Sequence, residues 1–217
     1  MGNRAVPSLT LTTTRLELIA ATVEISRAEI HDRAHFATLL GTPVPAAWPP
    51  PLNDDASMQW ILDTLERDPD AVGWAAWYYV LRGGSVGAGG SGTSGSGAGI
   101  GDRGSRATGR AVIGNGGFTR RPSADGTVEI GYSILEEHQG KGYATEAAEA
   151  LLAWAFGHAE VRRVIAHTFP ELIASIRLLE KCGFRGTGPG SEEGSIRFEL
   201  TREAHAERTA GSGPRRG

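Results

Sequence analysis

The segment best suited to binding chemistry runs from Glu136 to Glu146 and reads EEHQGKGYATE. It lies between a segment that predicts a β-strand and one that predicts an α-helix. Gly140 and Gly142 would let a ligand approach the backbone closely, and the first N–H groups of the following helix have no acceptor within that helix. Together with the positive end of the helix dipole, these amides would bind a phosphate or a pyrophosphate. A plain strand-to-helix turn, in which glycine is also common, is the alternative.

Two other phosphate-binding patterns fit the sequence less well. A Walker loop has Ser or Thr directly after Gly-Lys, whereas Gly142 follows Lys141 here. The dinucleotide pattern GxGxxG occurs at residues 99–104 and again at 87–92. Both copies lie in a low-complexity tract with no strand before them and no helix after them. We therefore attribute them to composition.

Hydrophobic periodicity predicts the two elements that flank the glycine-containing segment. Apolar residues alternate with polar or small ones from Val128 to Leu135, which predicts a strand with Glu129 on its polar face. The apolar face of this strand consists of Val128, Ile130, Tyr132 and Ile134. Small and apolar residues then recur at helical spacing and predict the strongest helix of the chain. Its apolar positions are Ala144, Ala147, Ala148, Leu151, Leu152 and Ala155.

The rest of the chain alternates between the same two patterns. Further strands are predicted around residues 16–20, 74–81, 111–118, 164–168 and 196–200, and further helices around 23–40, 55–65 and 172–182. Prolines on both sides of Trp48 predict a stiff loop, which either contributes to a cleft or packs as a rigid corner. The resulting order, βααβββαβαβ, predicts one mixed α/β domain with crossover helices.

Composition narrows the class of protein. The 217 residues carry a net charge of −3 and are 40% hydrophobic, which suits one domain with a sizeable core and gives no broad basic field for nucleic acid. A lone cysteine excludes a disulfide framework, and no apolar run approaches the length of a membrane span. The first residues lack the apolar core of a secretory signal. We therefore expect a cytoplasmic protein without nucleic-acid or membrane partners.

Glycine is concentrated in one tract. Half of the residues from Gly83 to Gly104 are glycine, and most of the others are Ser, Ala or Thr. Such a tract cannot bury enough apolar area to offset its ordering entropy, so we predict a flexible loop between two strands. Residues 204–217 are predicted to form a flexible tail. The folded domain is then expected over residues 9–203.

Four motifs in register resemble the GNAT acetyltransferase superfamily. Residues 139–144, QGKGYA, match the signature Gln/Arg-x-x-Gly-x-Gly/Ala. The pattern TxRLxL at 13–18 is similar to the first strand of the branch that acetylates the N-termini of ribosomal proteins. EIGY at 129–132 resembles the fourth strand of that branch, and SIRLLEKCGF at 175–184 resembles its late helix and the strand that follows. The resemblance covers residues 11–200, except for the glycine-rich tract.

The resemblance implies a fold and a co-substrate. It implies a single GNAT-type domain of the α/β class, in which helices flank a mixed and mostly antiparallel central sheet. Acetyl-coenzyme A would place its pyrophosphate on the loop and pair its pantetheine arm, like a strand, with the end of the preceding strand, where two strands splay apart. The implied cofactor-binding residues are Ile134, Leu135, Gln139, Gly140, Lys141, Gly142, Tyr143, Ala144 and Ser175.

Two residues are candidates for the chemistry that the resemblance implies. Glu129 is the candidate base that takes a proton from the amine through water; a surface charge or an ion pair with an arginine is the alternative. Ser175 would assist the leaving thiolate or bind the pantetheine amide, and the alternative is a helix serine bonded to a carbonyl one turn back. Many family members carry a tyrosine general acid at the position of Leu179, and often an asparagine at that of Leu172. Both departures occur in the ribosomal-type branch.

The histidines and the cysteine do not predict a metal site. His31, His35, His158 and His205 show no grouping of metal ligands. His167 lies on a predicted strand and faces either the core or a cleft, and we prefer the core. Cys182 is expected to be a small core residue.

The function implied by the resemblance is acetyl transfer from acetyl-coenzyme A to a primary amine, by direct attack in a ternary complex. The preferred acceptor is an α-amino group at a protein or peptide N-terminus. A small amine, such as an antibiotic, a polyamine or an amino acid, is the first alternative. A non-catalytic acyl-coenzyme A sensor, motivated by the leucine at position 179, and a nucleotide-binding domain that uses the same loop are the others. The protein would act as a monomer or a homodimer.

Overall fold

Eight strands and six α-helices form within residues 9–83 and 109–211, the part of the chain that the computed structural model describes. The strands are β1 (Thr10–Thr12), β2 (Leu16–Ala20), β3 (Ala76–Leu81), β4 (Val112–Phe118), β5 (Thr127–Ile134), β6 (Arg163–Thr168), β7 (Arg185–Pro189) and β8 (Ile196–Thr201). The helices are α1 (Val23–His31), α2 (Arg33–Leu40), α3 (Asp55–Arg67), α4 (Tyr143–Gly157), α5 (Ile173–Lys181) and α6 (Arg202–Gly211). Short 3-10 helices occur at Pro69–Ala71 and Glu136–His138.

All eight strands belong to one sheet with the order β1-β2-β3-β4-β5-β6-β8-β7. Only β5 and β6 pair in parallel, and every other neighbouring pair is antiparallel. The predicted mixed, mostly antiparallel α/β fold is therefore confirmed. No helix among the described residues combines the length and the apolar character needed to cross a bilayer.

Helices cover both faces of the sheet. Alternate residues of the central strands, such as Leu18 and Ile130, pack against the apolar stripe of α4 and against α5. The opposite face, which includes Ile19 and Tyr78, packs against α1, α2 and α3. The sheet thus separates two apolar layers, and a ligand can reach from one layer to the other only where neighbouring strands part.

Such a parting lies between β5 and β6. The two strands pair only over Thr127–Glu129 and Arg163–Ile165, although β5 continues to Ile134 and β6 to Thr168. The predicted splay is present. On its other side β5 is paired with β4 over Ile130–Ile134, and Leu135 N–H donates to the carbonyl of Ile113 at 2.9 Å. Because backbone groups alternate along an antiparallel pair, the even-numbered residues of β5 turn their N–H and C=O groups toward the opening.

Some predicted elements differ from those observed. The helix predicted over 23–40 is two helices, because Asp32 ends α1 and its side chain accepts the His35 N–H at 3.0 Å to cap α2. Two short strands, β1 and β7, are missing from the order predicted by periodicity, although the resemblance at 175–184 implies a strand after the late helix; β7 is exposed along its whole length. Strand β7 lacks the alternating pattern by which a half-buried strand is recognised, and β1 shows it only over the short segment SLTLT at residues 8–12.

The predicted tail from residue 204 is wrong up to residue 211, where the chain forms α6. Arg202 fixes the beginning of this helix, because its guanidinium donates to the carbonyls of Phe156, His158 and Val161 at 2.5–2.9 Å. Residues 84–108 and 212–217 lie outside the described ranges. Both GxGxxG copies and the end of the predicted tail therefore lie outside the described residues. The predicted flexible loop does so as well, except for Gly83.

Candidate active site

The loop predicted to bind phosphate connects β5 to α4. Gly140 has a φ of +71° and Gly142 a φ of +79°, a region that residues with a side chain rarely adopt. A Cβ at Gly140 would meet nothing within 4 Å, so a ligand can approach the backbone there. Gly142 is the N-cap of α4 and supplies no side chain to the first amides of the helix. The loop therefore suits a diphosphate, which would accept hydrogen bonds from these amides.

Arg15, which lies near the beginning of the sequence, holds this loop in place. Its guanidinium donates to the carbonyl of Lys141 at 2.9 Å and to the carboxylate of Glu146 at 2.6 Å, and it lies 4.5 Å from the ring centroid of Tyr143. Burial raises the pKa of Glu146, but hydrogen bonds from Thr13 and Arg15 outweigh burial and the net shift is downward. The sequence shows Arg15 only as part of a strand motif. Its contact with the loop could not be predicted, because its partners are more than 120 residues away.

The loop also folds back on β5. The side-chain amide of Gln139 donates to the carbonyl of Ile134 at 3.0 Å. The ammonium group of Lys141 donates to the carbonyl of Glu137 at 2.7 Å. Gln139 therefore fixes the distance between the end of β5 and the first turn of α4, which an extended ligand spanning both would require.

A cavity of about 1040 Å³ runs from this loop along the opening between β5 and β6. Seven of the nine predicted cofactor-binding residues line it, namely Ile134, Gln139, Gly140, Gly142, Tyr143, Ala144 and Ser175. Lys141 is not among the lining residues. Leu135 is buried on the face covered by α1–α3, its N–H donates to Ile113, and its carbonyl accepts the N–H of His138 at 2.8 Å. The pairing of a pantetheine arm with Leu135 stays a prediction, and it would require the Leu135 N–H to exchange its bond to Ile113.

Glu129 is paired with a histidine. Its Oε1 lies 3.1 Å from Nδ1 of His167, and the two side chains are 33% and 17% exposed. His167 lines the cavity, whereas Glu129 does not. The sequence therefore identified the carboxylate but assigned its neighbour to the core. A carboxylate without a proton can only accept hydrogen bonds, so a hydrogen bond between the two groups requires the proton on Nδ1, and the tautomer with that proton has Nε2 as its acceptor.

Ser175 lines the cavity from the first turns of α5, and it has an aromatic neighbour. The phenol oxygen of Tyr132 is 3.1 Å from Ser175 Oγ and 3.5 Å from its carbonyl oxygen. Burial raises the pKa of Tyr132 to about 12, so the phenol keeps its proton at neutral pH. The alternation along β5 predicts only that Tyr132 belongs to the apolar face of the strand. The hydroxyl at a strand position next to the glycine loop was the only signal of another role.

The loop that follows α2 forms the wall of the cavity on the other face of the sheet. Ser133 Oγ donates to the carbonyl of Pro51 at 2.6 Å, and Asn115 Nδ2 donates to Oδ1 of Asn53 at 2.9 Å. Trp48 is packed as a rigid corner, only 7% exposed, and its indole N–H donates to Glu29 at 3.0 Å. The cleft interpretation thus applies to residues 51–53 and not to Trp48.

The described residues do not form a set of metal ligands at this site. Within residues 9–83 and 109–211, no group of three or more His, Cys, Asp or Glu side chains is arranged to hold a metal ion. Burial raises the pKa of Cys182 to about 11, so its thiol is protonated and unreactive at neutral pH.

The chain is similar to known N-acetyltransferases in sequence. The family model described as "Acetyltransferase (GNAT) domain" matches residues 22–185. The uncharacterized N-acetyltransferase YjdG of Bacillus subtilis is 37% identical over 73 residues, which are 34% of this chain and 44% of YjdG. The FsC-acetyl coenzyme A-N(2)-transacetylase of Aspergillus fumigatus is 31% identical over 85 residues, which are 35% of this chain and 36% of that protein. Each match spans less than half the length of the relative.

Solved structures share the fold over nearly the whole chain. An acetyltransferase from Agrobacterium tumefaciens superposes with a TM-score of 0.53 at 21% identity and covers 92% of this chain and 98% of its own. A Vibrio cholerae protein proposed to be a ribosomal-protein-serine acetyltransferase gives a TM-score of 0.52 at 19% identity, over 91% of this chain and 99% of its own. At such identities the likeness establishes the fold.

Proposed function

Because the chain belongs to the GNAT acetyltransferase family, we propose that it transfers an acetyl group from acetyl-coenzyme A to a primary amine. One observation carries this proposal. A single cavity joins the glycine loop, the opening between β5 and β6, and the imidazole of His167. A donor held on one face of the sheet and an amine on the other would therefore meet within the opening.

The residues present suit acetyl-coenzyme A as the donor. Bound there, it supplies an activated thioester. The amides around Gly140 and at the start of α4 would hold its diphosphate, with Arg15 keeping the loop in place. The edge of β5 from Ile130 to Ile134, which is not paired with β6, would align the pantetheine amides. These contacts would position the thioester for attack, which lowers the entropic part of the barrier of a bimolecular reaction.

His167 is the base in this proposal, and Glu129 positions it. The amine must lose a proton to become a nucleophile, and Nε2 of the neutral imidazole can accept that proton directly or through one water molecule. Glu129 fixes the tautomer and stabilises the imidazolium that forms. Glu129, which the sequence analysis proposes as the base, thus acts on the amine only through His167.

Tyr132 and Ser175 act on the leaving group. As the amine nitrogen bonds to the carbonyl carbon, the carbon–sulfur bond breaks and the sulfur takes the electron pair. The Tyr132 phenol, which burial keeps protonated, donates a proton to this sulfur directly or through the Ser175 hydroxyl. Glu129 and Tyr132 are three residues apart on β5, so their side chains lie on opposite faces of the sheet. The Glu129–His167 pair would accept the proton of the amine on one face, and the Tyr132–Ser175 pair would supply a proton to the sulfur on the other.

The acceptor that we favour is an α-amino group at a protein or peptide N-terminus. The motifs at 13–18 and 129–132 support this choice, and the name of the Vibrio cholerae protein points to the same class of acceptor. Small amines are the second candidate class.

The test is acceptor-dependent thiol release from acetyl-coenzyme A, combined with calorimetric binding of coenzyme A. We expect saturable release with at least one primary amine from a panel of peptides, polyamines, aminoglycosides and amino acids. Tight coenzyme A binding without release by any amine would favour an acyl-coenzyme A sensor. Preferential binding of ATP over coenzyme A would favour a nucleotide-binding domain.

A further inference from the structure

Large apolar side chains are exposed around the cavity. Five such side chains are exposed in the described part of the chain, and three of them line the cavity: Leu52, Trp60 and Leu172. Leu52 is 89% exposed, Trp60 46% and Leu172 42%. We call these three residues the apolar rim. Exposed apolar patches next to a cavity mark surfaces that bind a ligand, because covering them removes apolar area from water.

Leu52 has an unfavourable backbone conformation, although its side chain is exposed. Its φ of +67° lies in the left-handed region, where a branched apolar residue is uncommon. The neighbouring residues hold it there, because Pro51 accepts the Ser133 hydroxyl and Asn53 is bonded to Asn115. A side chain fixed in a strained conformation, without burying itself, is consistent with a role in contacting a ligand.

The charges that line the cavity are of one sign. Among the described residues, the lining includes Arg177 and Lys181 but no aspartate or glutamate. The Glu129 carboxylate is already paired with His167 and does not line the cavity, so an acceptor with a second ammonium group would find no lining carboxylate to pair with in a partly desolvated site. The cavity is thus unsuited to polyamines and aminoglycosides, and suited to a molecule with one amine and an apolar body.

We propose that the acceptor is a primary monoamine with a bulky apolar group close to the amine, and that the apolar rim holds this group. This inference rests on the proposed function and specifies its substrate. The same chemistry is offered by the first residue of a peptide and by a small hydrophobic amine.

The first test compares acceptors by thiol release. Two peptides that differ only in their first residue, Phe or Ser, are measured with 2-phenylethylamine and spermidine. We expect kcat/KM for the Phe peptide to exceed that for the Ser peptide and for spermidine by about tenfold or more. Turnover of 2-phenylethylamine at a similar rate would identify a small amine as sufficient, and its absence would identify a peptide. Equal or better turnover of spermidine or the Ser peptide would overturn the inference while leaving acetyl transfer established.

The second test removes the apolar rim. Trp60→Ala and Leu52→Asn should each lower kcat/KM for the Phe peptide by about fivefold or more and change that for the Ser peptide by less than about twofold. Asparagine tolerates the left-handed backbone, so the second variant keeps the loop. The matched control is Leu9→Ala, since Leu9 is 37% exposed but does not line the cavity. Equal losses with both peptides, or an effect of the control as large as that of Trp60→Ala, would contradict the inference.

Discussion

The phenol of Tyr132 lies 3.1 Å from the hydroxyl of Ser175, so a strand and a helix each present a hydroxyl group at the opening between β5 and β6. Leu179, at the position where the family resemblance implies a tyrosine, is 1% exposed and packed in the core. The chain therefore has a phenol at the cavity although helix α5 does not supply it. A hydroxyl supplied from the strand can serve the same sulfur, because β5 borders the opening along which the donor would lie.

We expect Tyr132→Phe to lower kcat by about 10- to 100-fold, because the thiolate then leaves without a proton donor. Calorimetry should give an acetyl-coenzyme A Kd within about twofold of the wild-type value, since the phenol is not needed for the diphosphate contacts. Because the pKa of Tyr132 is about 12, the wild-type rate should show no loss from its ionisation below about pH 11.

The matched control is Tyr79→Phe. Tyr79 is also buried in the sheet, but its hydroxyl has no hydrogen-bond partner among the described residues. Its removal should leave kcat within about twofold and stability unchanged or slightly higher. If Tyr132→Phe were as active as this control, Tyr132 would not be the proton donor.

Glu129 and His167 can be separated by two substitutions of the carboxylate. Glu129→Ala should lower kcat by about 100-fold, because the imidazole loses the group that fixes its tautomer. Glu129→Gln keeps an acceptor for Nδ1–H without the charge, so it should retain more activity than the alanine variant. Steady-state kinetics with a saturating donor would measure both. Equal activities of the two variants would mean that the carboxylate does not act through the imidazole.

Gly142→Glu should raise the Kd for coenzyme A tenfold or more, which is about 1.4 kcal/mol. The new side chain would start at a φ of +79°, with its Cβ 3.4 Å from Nη2 of Arg15, and would bring a carboxylate to the anion-binding amides. Gly142→Asn is the control for backbone strain, because asparagine tolerates this conformation and adds no charge. Calorimetry on folded variants provides the measurement. Wild-type affinity in the glutamate variant would contradict the assignment of the loop.

The buried carboxyl of Glu29 predicts a pH-dependent stability. Burial raises the pKa of Glu29 from 4.5 to about 7, although hydrogen bonds from Tyr78 and Trp48 oppose the shift. The folded state thus favours the protonated carboxyl. The resulting stabilisation is complete below about pH 4.5 and is lost as the pH rises through 7, a loss of about 3 kcal/mol.

Urea unfolding at pH 5 and pH 8 would measure this effect as a difference between variants. Glu29→Gln should lose less free energy of unfolding than the wild type between the two pH values, by about 3 kcal/mol. Glu24→Gln is the control, because Glu24 lies on the same helix with its side chain 62% exposed. A wild-type and a Glu29→Gln protein with the same pH dependence would refute the prediction.

The elements that carry a local periodic signal were predictable from the sequence. Strand β5 and helix α4 lie within two residues of their predicted bounds, because alternation and helical spacing are properties of neighbouring residues. The break at Asp32 was not, since the same residue that ends α1 also caps α2. Strand β7 was missed because glycine and proline give it no alternation.

The site was predictable only in part, because its pairs are formed by the tertiary fold. Arg15 and Glu146 are 131 residues apart, and Glu129 and His167 are 38 residues apart. The backbone orientation at Leu135 is likewise set by the tertiary fold. Alternation shows which side chains share a face, but the residues whose backbone faces the opening depend on the register with β4, in which Gly114 lies opposite Ile134. Nothing in the order of residues along β5 contains that register.

Deletion of residues 84–103 should leave catalysis intact and raise stability slightly. The ends of the segment are adjacent, since a Cβ on Gly109 would lie 3.9 Å from Cα of Gly83, and Leu81 N–H donates to the carbonyl of Ala111 at 2.8 Å. The five residues that remain, 104–108, are enough to join β3 to β4, because hairpin loops of about two to five residues are common. Shortening the connection about fivefold lowers the entropic free-energy cost of closing it by about 1.4 kcal/mol. Urea unfolding should detect this increase, and thiol release should stay within about twofold of wild type; a large loss of activity would instead assign the segment a role at the acceptor site.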